Sequence, residues 1–470
     1  MKPTDLLIIG GGPAGYVAAL RAAQLGAKPL VVEAAELGGV CLNRGCVPTK
    51  SLIESAGLYR TITGAAREHG ISVSGVAIDL DAMVKRKAGV SRTLSDALAV
   101  LLPSRGIEII PGRARFTGPH EVAIAPDERV SFGKAIVCTG SSPWHPPIPG
   151  LDLPGVIGSD EALAPSDIPA SLAVIGGGAV GCEFATIYAV LGCQVTIIEM
   201  LQSLVPTEDA EISQALQYYM EAQGITVITG ARVELVERLE PATDAQTGEG
   251  TALRIRLATP GGSRTVDVQR VLAAIGRRPN TAGLDLQAAG ITVGRRGEIP
   301  VDGGMRTSVP GIFAAGDVTG GILLAHVAFE QGIVAAENAL GRQVSFRQGI
   351  VPRCIYTDPE VAAVGMTEAA ALDEGYDVAV GRFPFTNSGR AMAMGRPEGF
   401  VKAVTEKAGG QLLGVHIIGP HASELIAEAA LALHHGSTID DFAQVIHAHP
   451  TLTEAVKEAV LDARGEAIHK

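Results

Sequence analysis

One sequence pattern, written twice at one spacing, restricts this chain to a narrow set of folds. Asp5-Leu6-Leu7-Ile8-Ile9 is a short apolar run suited to a buried strand, and it leads into Gly10-Gly11-Gly12-Pro13-Ala14-Gly15 and an Ala-rich helical stretch. A second apolar run, Pro29 to Val32, ends at Glu33. Later, Leu172-Ala173-Val174-Ile175 leads into Gly176-Gly177-Gly178-Ala179-Val180-Gly181, then a helix, then Gln194 to Ile198, ending at Glu199. Gly10 to Glu33 and Gly176 to Glu199 are both 23 positions. A single copy is weak evidence, because a glycine-rich turn of an α/β domain is the alternative. Two copies in strand–turn–helix context, each closed by an acidic residue, predict two dinucleotide-binding domains.

The physics of each copy is the same. The first glycine permits the tight turn, the second lets backbone approach a pyrophosphate, and the third lets helix and strand pack closely. The helix N-terminus offers unpaired N–H groups and a partial positive charge to the phosphates. Gly10, Gly12, Pro13, Ala14, Gly15 and Glu33 form the first candidate site, and Gly176, Gly178, Ala179, Val180, Gly181 and Glu199 the second. Both glutamates are placed to accept hydrogen bonds from ribose hydroxyls. A carboxylate at Glu199 would repel a 2′-phosphate, so the second site should take NAD rather than NADP.

Shortly after the first copy stands Gly38-Gly39-Val40-Cys41-Leu42-Asn43-Arg44-Gly45-Cys46-Val47-Pro48-Thr49-Lys50. Two thiols five residues apart are redox partners, metal ligands or coincidence. Pro48 suits the first turn of a helix, where its missing N–H costs nothing. Lys50 brings a cation within a turn of the second thiol, and a cation and a helix N-terminus both stabilise thiolate. Zinc would need four ligands, and no second Cys or Cys/His pair stands at short spacing, so no metal is expected. A static structural disulfide is the alternative, disfavoured because intracellular disulfides are usually catalytic. Cys138, Cys182, Cys193 and Cys354 stand among apolar residues and read as small core hydrophobes.

Composition narrows the function classes. A chain of 470 residues is too long for one core and should form roughly two to four domains. A net charge of −12 argues against general nucleic-acid binding, which needs a basic face. The apolar run from Leu172 to Leu191 contains four glycines and Glu183, so no membrane span is expected. Leu6 to Ile9 runs straight into glycines without a cleavage site, and six cysteines do not staple a chain this long. A soluble, cytoplasmic protein is the expectation.

Two dinucleotide sites and a dithiol imply an electron path: a resident flavin at the first site, a diffusible nicotinamide at the second, and the dithiol facing a third redox partner. The chain resembles the pyridine nucleotide–disulfide oxidoreductases of class I, and within them the enzymes that oxidise dihydrolipoyl groups. The family's GGxCLNxGCxPxK segment is matched from Gly38 to Lys50, its A-x-G-D motif at Ala314-Ala315-Gly316-Asp317, and its T-G-S turn at Thr139-Gly140-Ser141. G-R-x-P-N is matched at Gly276-Arg277-Arg278-Pro279-Asn280, and H-x-H-P-T-L-x-E at His447-Ala448-His449-Pro450-Thr451-Leu452-Thr453-Glu454.

The resemblance implies an α/β fold with two Rossmann-like domains and an α+β C-terminal dimerisation domain. The expected regions are an FAD domain over 1–148, an NAD domain over 149–276, a central domain completing the FAD site over 277–347, and an interface domain over 348–470. The Pro-rich Ser142 to Gly150 is a natural linker, and Glu240 to Ser263 reads as a surface hairpin or loop. The resemblance further implies that Cys41 exchanges with substrate while Cys46 faces the flavin as the charge-transfer thiolate. Lys50 would lie near the reactive flavin nitrogen, paired with Glu183, whose carboxylate in an otherwise apolar helix would be costly unpaired. His449 would be the acid/base, oriented by Glu454, with His447 a nearby decoy; Thr451 or Thr453 could cap the next helix.

In the family this histidine reaches the dithiol of the other subunit, which makes a homodimer necessary. Asp317 would bond the flavin ribityl chain; Leu323, Leu324, Ala325 and His326 would line the ring's carbonyl edge. Gly39, Val40, Thr139, Gly140 and Ser141 belong to the same cofactor site, while Gly112, Val233 and Gly276 are looser backbone or adenosine contacts. The expected reaction oxidises protein-bound dihydrolipoyl groups to lipoyl and passes electrons through FAD to NAD. Partners would then be a lipoylated acyltransferase or carrier protein of a 2-oxoacid dehydrogenase or glycine cleavage complex. The alternatives are an NAD(P)H-dependent reductase of another disulfide, or a docking subunit. Ala14 departs from the glycine of many relatives, a change that should fit. Neither an N-terminal lipoyl domain nor a C-terminal cysteine pair is expected, which leans away from mercuric reductase and the large thioredoxin reductases.

Overall fold

A computed structural model describes residues 1–239 and 253–470 and divides the chain into two compact units. The first comprises Met1–Leu52, Asp81–Trp144 and Gly276–Arg347. Its sheet runs, edge to edge, Glu108–Pro111, Leu30–Glu33, Lys2–Ile9, Glu128–Val137, Glu121–Ile124 and Ala114–Gly118, with Ile312–Ala314 also pairing to Glu128–Val137. The strands around Lys2–Ile9 are parallel. Parallel strands are covered on both faces, which explains the unbroken apolar run Leu6 to Ile9. Leu7 and Ile9 enter one core cluster with Val32 and Val137, while Leu6 and Ile8 enter another with Val31 and Ile136.

Helix Pro13–Gln24 turns Ala14, Ala18, Ala19 and Ala22 inward against helix Ala325–Ala339. Small residues allow the approach: a Cβ on Gly332 would lie 2.4 Å from Ala14 O.

The second unit comprises Ile53–Leu80, His145–Ile275 and Gln348–Lys470. It contains a five-stranded parallel sheet in the order Thr226–Ile228, Gln194–Ile198, Ser171–Ile175, Arg270–Ala273, Val156–Ile157. A three-stranded antiparallel ribbon accompanies it. Of the stretch expected as a surface hairpin or loop from Glu240 to Ser263, residues 240–252 lie outside the described residues. The remainder is hairpin: Leu253–Thr259 pairs antiparallel with Gly262–Val268.

The C-terminal part is an antiparallel sheet in the order Arg353–Ile355, Glu360–Gly365, Leu412–Gly419, Phe400–Glu406, Val378–Pro384. Helices Ala422–His435 and Glu454–Asp462 close its core through Leu425, Ile426, Ala455 and Val456. Among the described residues no helix is long and apolar enough to cross a membrane.

Candidate active site

At the first fingerprint, Gly10 takes a positive φ of 106°, and a Cβ there would sit 2.3 Å from Cys138 O. A Cβ on Gly15 would meet Gly10 O at 1.8 Å, so this helix start admits only glycine without backbone movement. The Glu33 carboxylate accepts from Gly11 N at 2.5 Å and Ala35 N at 2.8 Å. Gly112 donates its N–H to Glu33 O at 2.8 Å, which places the loosely assigned Gly112 beside the acidic residue.

The other predicted flavin residues of this unit converge. Ser141 Oγ donates to Asp317 Oδ2 at 2.5 Å and accepts from Arg277 Nε at 2.7 Å, and Arg277 also reaches Ser141 O. Gly140 takes a positive φ of 69°, with Asn280 N donating to Gly140 O at 2.9 Å and Asn280 Nδ2 to Thr139 O at 3.0 Å. Gly276 O accepts from Trp144 N, so the G-R-x-P-N segment pairs against the residues at the end of the T-G-S turn. Leu324 precedes helix Ala325–Ala339, with Leu323 and His326 exposed.

The thiols occupy two successive helices rather than one. Cys41 is in the short helix Gly39–Asn43, and Cys46 opens helix Cys46–Thr63. Asn43 Nδ2 ties the short helix to Leu37 O and Gly39 O, and Thr49 Oγ1 donates to Gly45 O at 2.6 Å. Pro48 lies in the first turn of the second helix and Lys50 in the next. Cys41 is half-buried and Cys46 exposed. A hydrogen bond with Cys46 pushes the Cys41 thiol far above its ordinary range, burial adds to this, and the Lys50 ammonium opposes it. Cys138, Cys182 and Cys193 are buried as expected, whereas Cys354 is only half-buried.

The second fingerprint repeats the first. Gly176 has φ 111°, a Cβ on Gly181 would lie 1.9 Å from Gly176 O, and Glu199 accepts from Gly177 N at 2.6 Å and Leu201 N at 2.8 Å. Val233 is buried in strand Arg232–Arg238. Glu183 is buried in helix Ala179–Val190, where its Oε1 accepts from Tyr356 N at 3.0 Å.

The His449 ring stands 79% exposed, with Nδ1 2.9 Å from Glu454 Oε1. Glu454 Oε2 accepts from Thr451 N at 2.8 Å. Partial burial raises the Glu454 carboxyl, but the Thr451 N–H and the His449 ring outweigh it and hold it below its usual value. The sequence expectation that Thr451 or Thr453 caps the next helix is corrected. Thr453 is its N-cap residue but makes no side-chain cap bond; its hydroxyl pairs with Thr451 Oγ1 at 2.9 Å.

Comparison with known proteins decides the family. The pyridine nucleotide-disulphide oxidoreductase model matches residues 4–332, and the dimerisation domain of the same family matches 351–460. The chain belongs to the pyridine nucleotide-disulphide oxidoreductases. It is 43% identical to the dihydrolipoyl dehydrogenase of Thermus scotoductus over 100% of this chain and 99% of that one. The dihydrolipoyl dehydrogenase of Chlorobaculum tepidum is 43% identical over 98% and 97%. A Cu(II) complex of the HOCl-induced flavoprotein disulfide reductase RclA from Escherichia coli superposes with a TM-score of 0.86, at 28% identity over 98% and 99%.

FAD and NAD are the cofactors of this oxidoreductase, and the dimerisation domain makes its working form a homodimer. The residues fit both nucleotides. Each fingerprint leaves a glycine cradle that a Cβ would obstruct and an acidic residue oriented by two backbone N–H groups.

Two residues of this oxidoreductase, and the contact made by a third, escaped sequence reasoning. Tyr16 is packed on Phe329 at 5.9 Å between ring centroids; burial and the neighbouring Cys41 both raise its phenol. Arg277 bridges to Ser141, and Tyr356 supplies the N–H that Glu183 accepts. An aromatic one residue past a glycine fingerprint was a signal available for Tyr16. The G-R-x-P-N segment singled out Arg277 but not its contact with Ser141, and nothing local in the sequence pointed to Tyr356.

Proposed function

We propose that this oxidoreductase oxidises protein-bound dihydrolipoyl groups and delivers the electrons to NAD, as the dihydrolipoyl dehydrogenase component of a 2-oxoacid dehydrogenase or glycine cleavage assembly in the cytoplasm. The observation that carries the reading is the exposed imidazole of His449 held through Nδ1 by Glu454, which leaves Nε2 free to face a thiol. A dithiol substrate must shed two protons, and a positioned histidine is the side chain suited to that at neutral pH.

In this reading the partner subunit's His449 takes a proton from one substrate thiol. The thiolate attacks Cys41 Sγ in the Cys41–Cys46 disulfide, a mixed disulfide forms, and Cys46 leaves as thiolate. The second substrate thiol then attacks the substrate sulfur of that mixed disulfide, closing the lipoyl ring and releasing Cys41. Its raised thiol pKa supports Cys41 as the one that takes back a proton, leaving the negative charge on Cys46. FAD, when bound by Gly10, Gly12, Gly15, Glu33, Ser141 and Asp317, supplies the two-electron relay to NAD. Gly176, Gly178, Gly181 and Glu199 would hold the nicotinamide nucleotide. Glu454 fixes the His449 tautomer, and Lys50 supports anionic sulfur by its charge.

The test is a visible spectrum recorded during anaerobic titration with dihydrolipoamide, followed by NAD. A long-wavelength thiolate band that collapses with NADH formation is the expected result. Flavin reducible by NADH but silent toward dihydrolipoamide would remove the lipoyl assignment and leave a reductase of another disulfide.

A further inference from the structure

The loop that carries His449 has one inward anchor. Helix Ile439–Gln444 ends before it, and from Val445 to Pro450 every residue is exposed except His447. Ile446 is 95% exposed, so the loop gains nothing from an apolar core. The His447 side chain, by contrast, is only 7% exposed, and its Nε2 lies 2.7 Å from Oε1 of Glu428 on helix Ala422–His435. Its Nδ1 is enclosed without a hydrogen-bond partner among the described residues, so Glu428 is the bond that fixes this ring. The remaining ties are to backbone: Lys457 Nζ donates to Val445 O at 2.6 Å and Ala443 O at 3.2 Å, and Thr451 Oγ1 to Ala448 O at 2.7 Å.

We propose that His447 and Glu428 are positioning residues for the thiol half-reaction: their buried bond sets where the exposed His449 ring stands. The inference rests on the reading of His449 as the proton acceptor. Glu454 orients that ring about its own bonds, and its other contact is to Thr451 N, beyond His449. A hydrogen bond to an ionised carboxylate is stronger and more directional than a neutral one, and it suits a pin of this kind. A misplacement of about 1 Å at a reacting group costs on the order of 10²-fold in rate, so partial loosening should be visible in turnover.

The test uses the FAD-loaded dimer. His447→Ala should lower kcat with dihydrolipoamide and NAD by about tenfold or more and move the acid limb of its pH profile. NADH oxidation by ferricyanide, flavin absorbance and the dimer elution volume should be unchanged. His447→Gln retains an N–H donor and should recover most of the loss, and Glu428→Gln should fall between the two.

Unchanged dihydrolipoamide turnover in His447→Ala overturns the proposal. So does an equal fall in both reactions with loss of the dimer, which would mark the pair as structural only. His449→Gln separates the two levels. If it stays active with dihydrolipoamide, the reading of His449 fails; if it is inactive while His447→Ala is normal, only the present inference fails.

Discussion

In the first fingerprint Gly11 N lies 2.5 Å from Glu33 Oε2, and in the second Gly177 N lies 2.6 Å from Glu199 Oε2; the other carboxylate oxygen accepts at 2.8 Å in both. Gly38 N bonds Gly11 O at 2.8 Å, as Val205 N bonds Gly177 O. What differs is the cover. A Cβ on Gly39 would fall 2.7 Å from Gly12 Cα, because the Cys41 helix lies directly over the first turn, and Ala14 is buried. Around Gly178 a Cβ would meet nothing within 4 Å, and Ala179 and Val180 are exposed. The same hydrogen bonds shape the turn in both places. A covered site suits a resident group and an open one suits a group that must come and go.

The largest effect that could break this contrast comes from the cover itself. Cys46→Ser should reduce turnover with dihydrolipoamide by about 10⁴-fold or more, since no second group can replace the missing sulfur. NADH oxidation by ferricyanide, which does not need the thiols, should persist. If both reactions vanish together, the thiol helix is not a separate station laid over the first site.

Next come the paired glycine changes, in which the same mutation is made in each copy. Gly15→Ala and Gly181→Ala each force a Cβ against a carbonyl oxygen, at 1.8 and 1.9 Å. Overpacking of this kind costs about 1–3 kcal/mol or more. Gly15→Ala should purify with little flavin. Gly181→Ala should retain flavin and lose NAD binding. Flavin absorbance after gel filtration checks flavin retention in both and an NAD titration of the flavin-loaded protein checks the second, and the opposite pattern would exchange the two assignments.

Glu199→Ala should raise KM for NAD about tenfold while leaving kcat nearly unchanged. The hydrogen bonds of an ionised acceptor are worth about 1.5–3 kcal/mol, part of which water restores in an open site. Steady-state kinetics at saturating dihydrolipoamide decide it. A fall in kcat with unaltered KM would mean that Glu199 serves the turn rather than the nucleotide.

The range of the interactions decides how much of the fold and the site was legible in the sequence. The fingerprints were readable because their logic is local: strand, turn, helix and acidic residue lie within two dozen positions and impose glycine for steric reasons visible in sequence. The dithiol segment was readable for the same reason, although its division into two helices was not. Arg277 reaching Ser141, Tyr356 meeting Glu183, and His447 meeting Glu428 are contacts between separate segments of the chain. No periodicity announces them. At Thr453 the capping expectation failed because the hydroxyl pairs with Thr451 Oγ1 at 2.9 Å while the N–H groups of Ala455 and Val456 bond backbone carbonyls, a choice that propensity does not settle.

The two copies also differ in the elements downstream of them, and the smallest prediction concerns that difference. The helix Ala210–Ala222 beyond the second copy is N-capped by Asp209, and Lys402, buried in the C-terminal sheet, donates to Asp209 at 2.9 Å, Glu211 at 2.7 Å and Glu368 at 2.8 Å. The Arg382 guanidinium is the largest influence on Glu211; burial opposes it, Lys402 assists, and the carboxyl falls to about 2. A carboxyl held lower in the folded chain stabilises the fold above its unfolded pKa. That contribution should fade as pH falls from about 4.5 toward 2, and be absent below. Glu211 is half-buried at the rim of the cluster, so solvent screens part of the attraction and its share is about 1 kcal/mol or less. Glu211→Gln should therefore lower the thermal midpoint slightly at pH 7 and converge with the parent protein near pH 2. A Glu211→Gln midpoint that is instead raised at pH 7 would show that the carboxylate is strained against Asp209 and Glu368 rather than held by Arg382 and Lys402.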